Sequence, residues 1–391
     1  MSSIVSRISG PVSMYYLKPN DSSLPLFLLF GDIHNSFDNM CSECTCEERK
    51  KCCHRIYDVD FLKKIEKLSR PHRPVDFYIE YFEADDDGAF ESPLDRFREP
   101  NFRNCYRRTV KNRKNCYAPD IRWHYSDIRM AHTKNNIENL FESLYVFIQF
   151  CMDLNKTQSY EGISMSHWLK MDKSSLTYKK VAGIDISKKE EIYQIIKLLA
   201  EFNQQTIAEF AERIVDFVFT SEYPSLIQKQ FRKQVKTSIF ADKSFVVKMM
   251  RDSLQSKLAA NLDVDDKLFD QLAKFDITAN YTPLAYLLLH INSTFVDLYT
   301  ILRAMKKNDT PPALCVAYLG NAHILNMVDI LLSTDYYQVE ASVEENHENR
   351  CLPFDIFDDL RKSLSKRSSS RTSRTSRKIS SKSKSKLYSS V

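Results

Sequence analysis

Two histidines in this sequence follow the same device. "LFGDIH" ends on His34 and "YLGNAH" on His323; each histidine stands three residues after a glycine, and each glycine closes an apolar run, Leu26 to Phe30 and Ala313 to Leu319. Between them "VDFYIE" carries a third, mostly apolar segment, Val75 to Ile79, that ends on Glu80. Two imidazoles and one carboxylate brought to one point form a ligand set for a divalent cation, with a position left open for water. Glu80 is also the candidate general base for activating that water. A single Gly-x-x-His is a weak signal, because any hydrogen-bonded histidine at a strand end looks the same. Its repetition after two wholly apolar segments, with an acidic strand end between them, is more specific.

The elements that must position these residues follow from the hydrophobic pattern. An apolar run without polar alternation marks a strand covered on both faces, the habit of parallel sheets flanked by helices. Val12 to Leu17 and Leu24 to Phe30, joined by the polar "KPNDSS", predict a hairpin feeding into the sheet. Asp58 is placed as the N-cap of a helix with Phe61, Leu62, Ile65 and Leu68 on one stripe, and the strand Val75 to Ile79 follows. A strand-helix-strand unit makes its two strands parallel and puts their C-terminal ends on one edge. The glycines are expected to let the chain turn sharply there. Residues 85–119 read as a long inserted loop. "DIRWHYSDIR" then alternates Ile121, Trp123 and Tyr125 against Arg122, His124 and Ser126, a third strand with one polar face. From Ile137 to Met305 the period becomes helical, with stripes such as Ile137, Leu140, Phe141 and Leu144. The greasy segment from Tyr281 to Met305 is interrupted by His290, Asn292, Asp297 and Arg303, which argues for a buried helix and against a membrane span. The expected fold class is α/β: a mainly parallel sheet flanked by helices in one domain over residues 1–360, with a helical insertion at about 137–305.

Paired Gly-x-x-His motifs flanking a strand-end glutamate resemble the TIKI/TraB/PrgY group within the erythromycin-esterase/ChaN-like superfamily. The resemblance covers residues 12–34, 75–80 and 313–332. A Gly-Asp-x-His start, a cysteine-rich loop and a basic tail are also similar to uncharacterised proteins of large DNA viruses. The resemblance implies that His34, Glu80 and His323 line an active site with Asp32 beside them. It implies metal-dependent cleavage of a peptide bond or hydrolysis of an ester; haem binding has been proposed for ChaN-like members. Asp32 directly after the glycine, and the cysteine-rich loop after the first motif, depart from the family pattern.

Secondary candidates lie in "RWHYSDIR". Arg129 could clamp an anionic group, with His124 beside it and Asp127 orienting an imidazole. The competing account is an Asp-Arg surface pair beside a core-packed Trp123. The loop "CSECTCEERKKCCH" gathers Cys41, Cys44, Cys46, Cys52, Cys53 and His54. Cys41 and Cys44 have the spacing for one tetrahedral zinc that Cys53 or His54 could complete, giving a structural zinc as a second metal. A disulfide or redox loop, and a plain variable loop, stand beside that account. The start of the chain lacks the pattern of a secretory signal, so a reducing cytoplasm is expected, which disfavours disulfides; packaging in a virion would restore them.

Residues 361–391 carry eleven Lys/Arg and no Asp/Glu, so the chain's net +5 less the tail's +11 leaves −6 on the rest. A Ser-, Lys- and Arg-rich segment with so little apolar content is expected to be disordered. It suits nonspecific contact with nucleic acid or another polyanion, a set of phosphosites, or a solubilising tail. Two functions therefore compete. One is a metal-dependent hydrolase; the other is an inactive interaction or virion protein on the same scaffold, attached to a polyanion by its tail.

Overall fold

A computed structural model describes residues 7–33, 41, 53–69, 74–80, 96–97, 102, 104–105, 115–127, 209, 212–213, 215–216, 226–238, 242–261, 282–307, 310–344, 351–353, 356–357 and 359–365. His34, Arg129, Cys44, Cys46 and Cys52 lie outside the described residues, as do the helical stripes at 137–151 and 192–202 and residues 366–391.

A six-stranded sheet organises the chain. Its strands are β2 (Ser13–Pro19), β3 (Leu26–Asp32), β5 (Val75–Ile79), β6 (Ile121–Tyr125), β7 (Leu314–Gly320) and β8 (Tyr337–Val343), in the order β6, β5, β7, β3, β2, β8. The pairs β6·β5, β5·β7 and β7·β3 are parallel; β3·β2 and β2·β8 are antiparallel. The mixed sheet agrees with the α/β class. Every residue of β3 and β7 is buried, which is why these two apolar runs take central places, while the alternating β8 sits on an edge with Val339 exposed. The closing strand β7 wedges between β3 and β5, in register with both. The C-terminal ends of all three strands, carrying Asp32, Glu80 and Gly320, are thereby made neighbours although they lie up to 288 residues apart.

Alternation sorts the side chains between two faces. Leu28, Phe30, Phe77, Ile79, Val316 and Tyr318 belong to a core shared with α1 (Val59–Glu66), through Phe61, Leu62 and Ile65. Phe97 and Phe102 are buried in that same core and lie against Trp123, so the stretch 85–119 contributes to the interior and is not wholly a surface loop. Asp58 takes the N-cap position of α1, but its carboxylate accepts from the Arg55 N–H at 3.1 Å instead of capping the helix. The opposite face lies beneath helices. α5 (Asn321–Ser333) packs on β3 and β7, α4 (Thr282–Ala304) packs on α5, and α2 (Leu226–Thr237) and α3 (Lys243–Asn261) pack on α4. These helices fall in the later part of the segment expected to be helical, of which residues 137–208 lie outside the described residues. Among the described residues no helix is long and apolar enough to cross a membrane.

A small sheet joins β1 (Arg7–Ser9) to β4 (Cys53–Arg55) and β9 (Cys351–Pro353). It brings Cys351 within 4.8 Å, Cα to Cα, of Cys41, and the two form a disulfide. Cys53 is also disulfide-bonded, and Cys105 pairs with Cys116. Residues 359–365 are helical with Leu360 fully buried and Leu364 against the core, so structure continues past residue 361, where the sequence predicts the tail to begin.

Candidate functional site

Gly320 ends β7 and serves as N-cap of α5, which places His323 in the first turn of that helix directly above the sheet edge. Glu80, the residue after β5, keeps the ladder through its N–H to Tyr318 O at 3.2 Å. Its side chain turns to the start of α5, where Oε2 accepts the Gly320 N–H at 2.5 Å. A carboxylate suits this place, because the free N–H groups of a helix start carry partial positive charge. Glu80 Oε1 lies 3.2 Å from His323 Nε2, and His323 Nδ1 lies 2.6 Å from Asp297 Oδ1. The Glu80, His323 and Asp297 side chains are 9%, 7% and 0% exposed. A carboxylate buried to this depth survives as an ion only if it is paired and hydrogen-bonded, which is what each of these has.

Burial disfavours charge on His323, but the Glu80 and Asp297 carboxylates on its two sides outweigh it and push the imidazole up to about 10. At neutral pH without a cation the ring is therefore an imidazolium clasped by two carboxylates. The Nδ1 contact with Asp297 is the arrangement that metal-bound histidines use to fix their tautomer, leaving Nε2 to face the ligand position.

The sequence-derived set is brought together in part. Glu80 and His323 converge; His34 lies outside the described residues. Among the described residues no group of three or more His, Cys, Asp or Glu side chains forms a metal-binding cluster. Asp32 is in register with Gly320 and is buried. Alternation along β3 sets its side chain on the face of Phe30, opposite to that of Gly31 and of the helices. It is a neighbour of the site across the sheet, not a member of the Glu80–His323 pair.

His124 belongs to a different buried cluster. Its ring stacks on Tyr78 at 4.7 Å, Arg303 Nε–H donates to its Nδ1 at 3.2 Å, and its Nε2 lies 3.4 Å from Asp76 Oδ2. Since Nδ1 accepts from a guanidinium, the ring is neutral with its proton on Nε2, facing Asp76. Burial lowers the His124 pKa; Asp76 opposes this, and Arg303 and Arg122 add to the lowering. For Asp76 burial acts upward, but His124 and Arg122 beside it hold the carboxyl below its usual range. The polar face of β6 thus faces α4 and pairs internally, and Asp127 follows it half-buried. The Asp-Arg pair described here is Asp76 with Arg122, the carboxylate buried and the guanidinium half-buried; a pair made by Arg129 lies outside the described residues.

The cysteine loop does not present the expected zinc thiolates at its described positions. Cys41 and Cys53 are in disulfides, and a disulfide sulfur is no thiolate ligand. His54 Nε2 lies 3.0 Å from Lys64 Nζ, and burial together with Lys64 lowers its pKa.

Three residues that matter escaped the sequence reading of the site. Asp297 appears in the sequence only as a charge inside an apolar helix. Such a charge is costly unless paired, and that was its signal. Asn326 donates through Nδ2 to Asp297 Oδ2. Ser126 is fully buried and stands opposite Glu80 in the register of β6 with β5; among the described residues its Oγ has no hydrogen-bond partner. Comparison of the chain with protein families, curated proteins and solved structures finds no match in any of the three.

Proposed function

We propose that the chain is a metal-dependent hydrolase of a peptide or ester bond. Glu80 and His323 would hold a divalent cation, with His34 as the third ligand. The observation that carries the proposal is the Asp297–His323–Glu80 row at the C-terminal ends of parallel strands, where open α/β sheets place their ligands. The donor geometry fits. Ligand atoms each about 2.1 Å from a cation and 3.2 Å apart subtend about 100° at it, within the range of tetrahedral and octahedral sites.

When bound, a divalent cation supplies Lewis acidity and water of lowered pKa. The chain's own groups do the rest. Gly320 N–H holds Glu80 Oε2 and thereby aims Oε1 at the ring. Asp297 keeps the proton of His323 on Nδ1, and the Ser126 hydroxyl, without a hydrogen-bond partner among the described residues, is available to a water or a substrate oxygen. The disulfides suit an oxidising setting such as a packaged particle.

A second reading is favoured by one observation: Glu80, His323 and Asp297 already satisfy one another in a nearly closed setting. They would then brace an interaction protein whose basic tail contacts nucleic acid or another polyanion. Metal analysis of the purified full chain, with His34→Ala and Glu80→Gln beside it, separates the two. Stoichiometric metal lost in both variants supports the hydrolase; a metal-free wild type that stays metal-free on incubation with Zn²⁺ or Mn²⁺ overturns it.

A further inference from the structure

A continuous row of buried polar groups runs away from His323 into the helices. Asp297 on α4 uses one carboxylate oxygen for His323 Nδ1 and the other for Asn326 Nδ2, one turn further along α5. Asn326 Oδ1 accepts from Ser253 Oγ of α3 at 2.6 Å, and Ser253 Oγ lies 3.0 Å from Thr294 Oγ1 of α4. Asp297, Ser253 and Thr294 are 0% exposed and Asn326 is 2% exposed.

Counting protons gives this row one direction. An ionised carboxylate only accepts, so Asn326 must turn its amide N–H₂ to Asp297 and its carbonyl oxygen to Ser253. The single hydroxyl proton of Ser253 is then spent on Asn326, and that of Thr294 goes to the His290 carbonyl at 2.8 Å, so Thr294 lies beside Ser253 without donating to it. The order is Ser253 to Asn326 to Asp297, which receives His323 Nδ1–H from the other side. With both oxygens engaged, the Asp297 carboxylate cannot rotate about its own axis without breaking a buried bond.

We infer that Asn326 and Ser253 are positioning residues, which lock the plane of Asp297 and through it the ring of His323 with Nε2 aimed at Glu80. The inference deepens the proposed function and rests on its assignment of His323 as a ligand. Its consequence is that the helical middle is part of the site's frame, since one of the two comes from α3.

The test uses the full chain labelled with ¹⁵N-histidine. The proton on His323 Nδ1, shared with Asp297 at 2.6 Å, should resonate far downfield and exchange slowly with water, with His323→Gln giving the assignment. In Asn326→Ala and in Ser253→Ala that signal should move upfield or vanish into exchange, whereas Ser253→Thr, which keeps the hydroxyl, should retain it. Co²⁺ affinity should fall about 10- to 100-fold in the two alanine variants, as for other groups that orient a ligand. An unchanged signal in the folded Ser253→Ala protein overturns the positioning role. The outcomes separate the two claims. Wild type that binds no Co²⁺ while the signal responds as expected sinks the metal and leaves the positioning. Co²⁺ binding with an unresponsive signal does the reverse.

Discussion

Asn321 seats its side chain in the space above Gly31. A Cβ built on Gly31 would lie 2.1 Å from Asn321 Oδ1 and 2.4 Å from Ser13 Oγ, which bond to each other. The first Gly-x-x-His motif therefore receives the second residue of the second motif, and the two interlock across the β3·β7 pair. Gly31 is needed for close approach; it lies within a strand and is not a left-handed turn residue.

Gly31→Ala should accordingly cost about 1–3 kcal/mol, the usual range for overpacking, because the intruding methyl meets two short side chains with little room to give. Urea unfolding measures it. Asn321→Ala in the same chain should recover part of the loss, since Ser13 still crowds the methyl. Strict additivity of the two substitutions would show that they do not meet.

The Cys41–Cys351 bridge ties the residues after the first motif to β9, across 310 positions of sequence. Cys351→Ser should lower stability by about 2–4 kcal/mol, and reducing agent should lower wild type by at least as much. Scanning calorimetry with and without dithiothreitol reads both. Equal transitions in all samples would mean that the bridge is not formed in solution.

The strands were legible because β3, β5 and β7 are apolar segments with clear ends, and the end of an apolar run is where a polar residue reaches the sheet edge. Glu80 and His323 were found for that reason. Asp297 was not, because its partnership with His323 crosses from α4 to α5 and leaves no mark beyond one charge in a greasy helix. The pairing of Cys41 was equally hidden: its neighbours in sequence suggested zinc, while its bonded partner is set by the small sheet of β1, β4 and β9. Phe97 and Phe102 sit among charged residues whose pattern reads as surface, yet their rings complete the core under Trp123.

Acid should weaken the protein through the Asp76–His124 cluster. Both groups have folded pKa values below their ordinary ones, 3.8 and 6.5. The unfolded chain then binds more protons than the folded one, so this contribution is present above those values and is lost as pH falls. The loss should begin below about pH 6.5, where unfolded His124 takes up its proton, and deepen below about 3.8 with Asp76. His124→Gln should flatten the upper part of the stability profile, the part lost as pH falls below about 6.5. A variant profile parallel to wild type throughout that window would contradict the assignment of neutral His124.

Residues 366–391 hold nine of the tail's eleven Lys/Arg, and cutting after Ser365 spares the helical turn anchored by Leu360. The truncated chain should unfold at the same denaturant concentration as the full one. Its affinity for heparin or duplex DNA should fall, and on duplex DNA the slope of log K against log salt should shrink by about 0.9 for each phosphate that the tail had neutralised. Retained binding with the original slope would place the polyanion-binding surface elsewhere.

A ligand at an exposed strand end contributes little to folding, but the burial of His323 between two carboxylates reverses that for this residue. His323→Ala leaves Glu80 and Asp297 buried without their shared cation, and breaking a buried pair in this way costs about 3–5 kcal/mol. Loss of metal in that variant is therefore ambiguous. Glu80→Gln is the cleaner change. Its amide oxygen can still accept the Gly320 N–H and hold the start of α5, while the charge that would bind a cation is gone. Glu80→Gln should unfold close to wild type yet retain metal at least about tenfold more weakly, and Glu80→Ala should lose both metal and stability. Isothermal titration with Zn²⁺ beside urea unfolding of the three proteins reads the two effects apart. Full metal affinity in a folded Glu80→Gln protein would remove Glu80 from the ligand set and leave the Asp297–His323–Glu80 row as a brace.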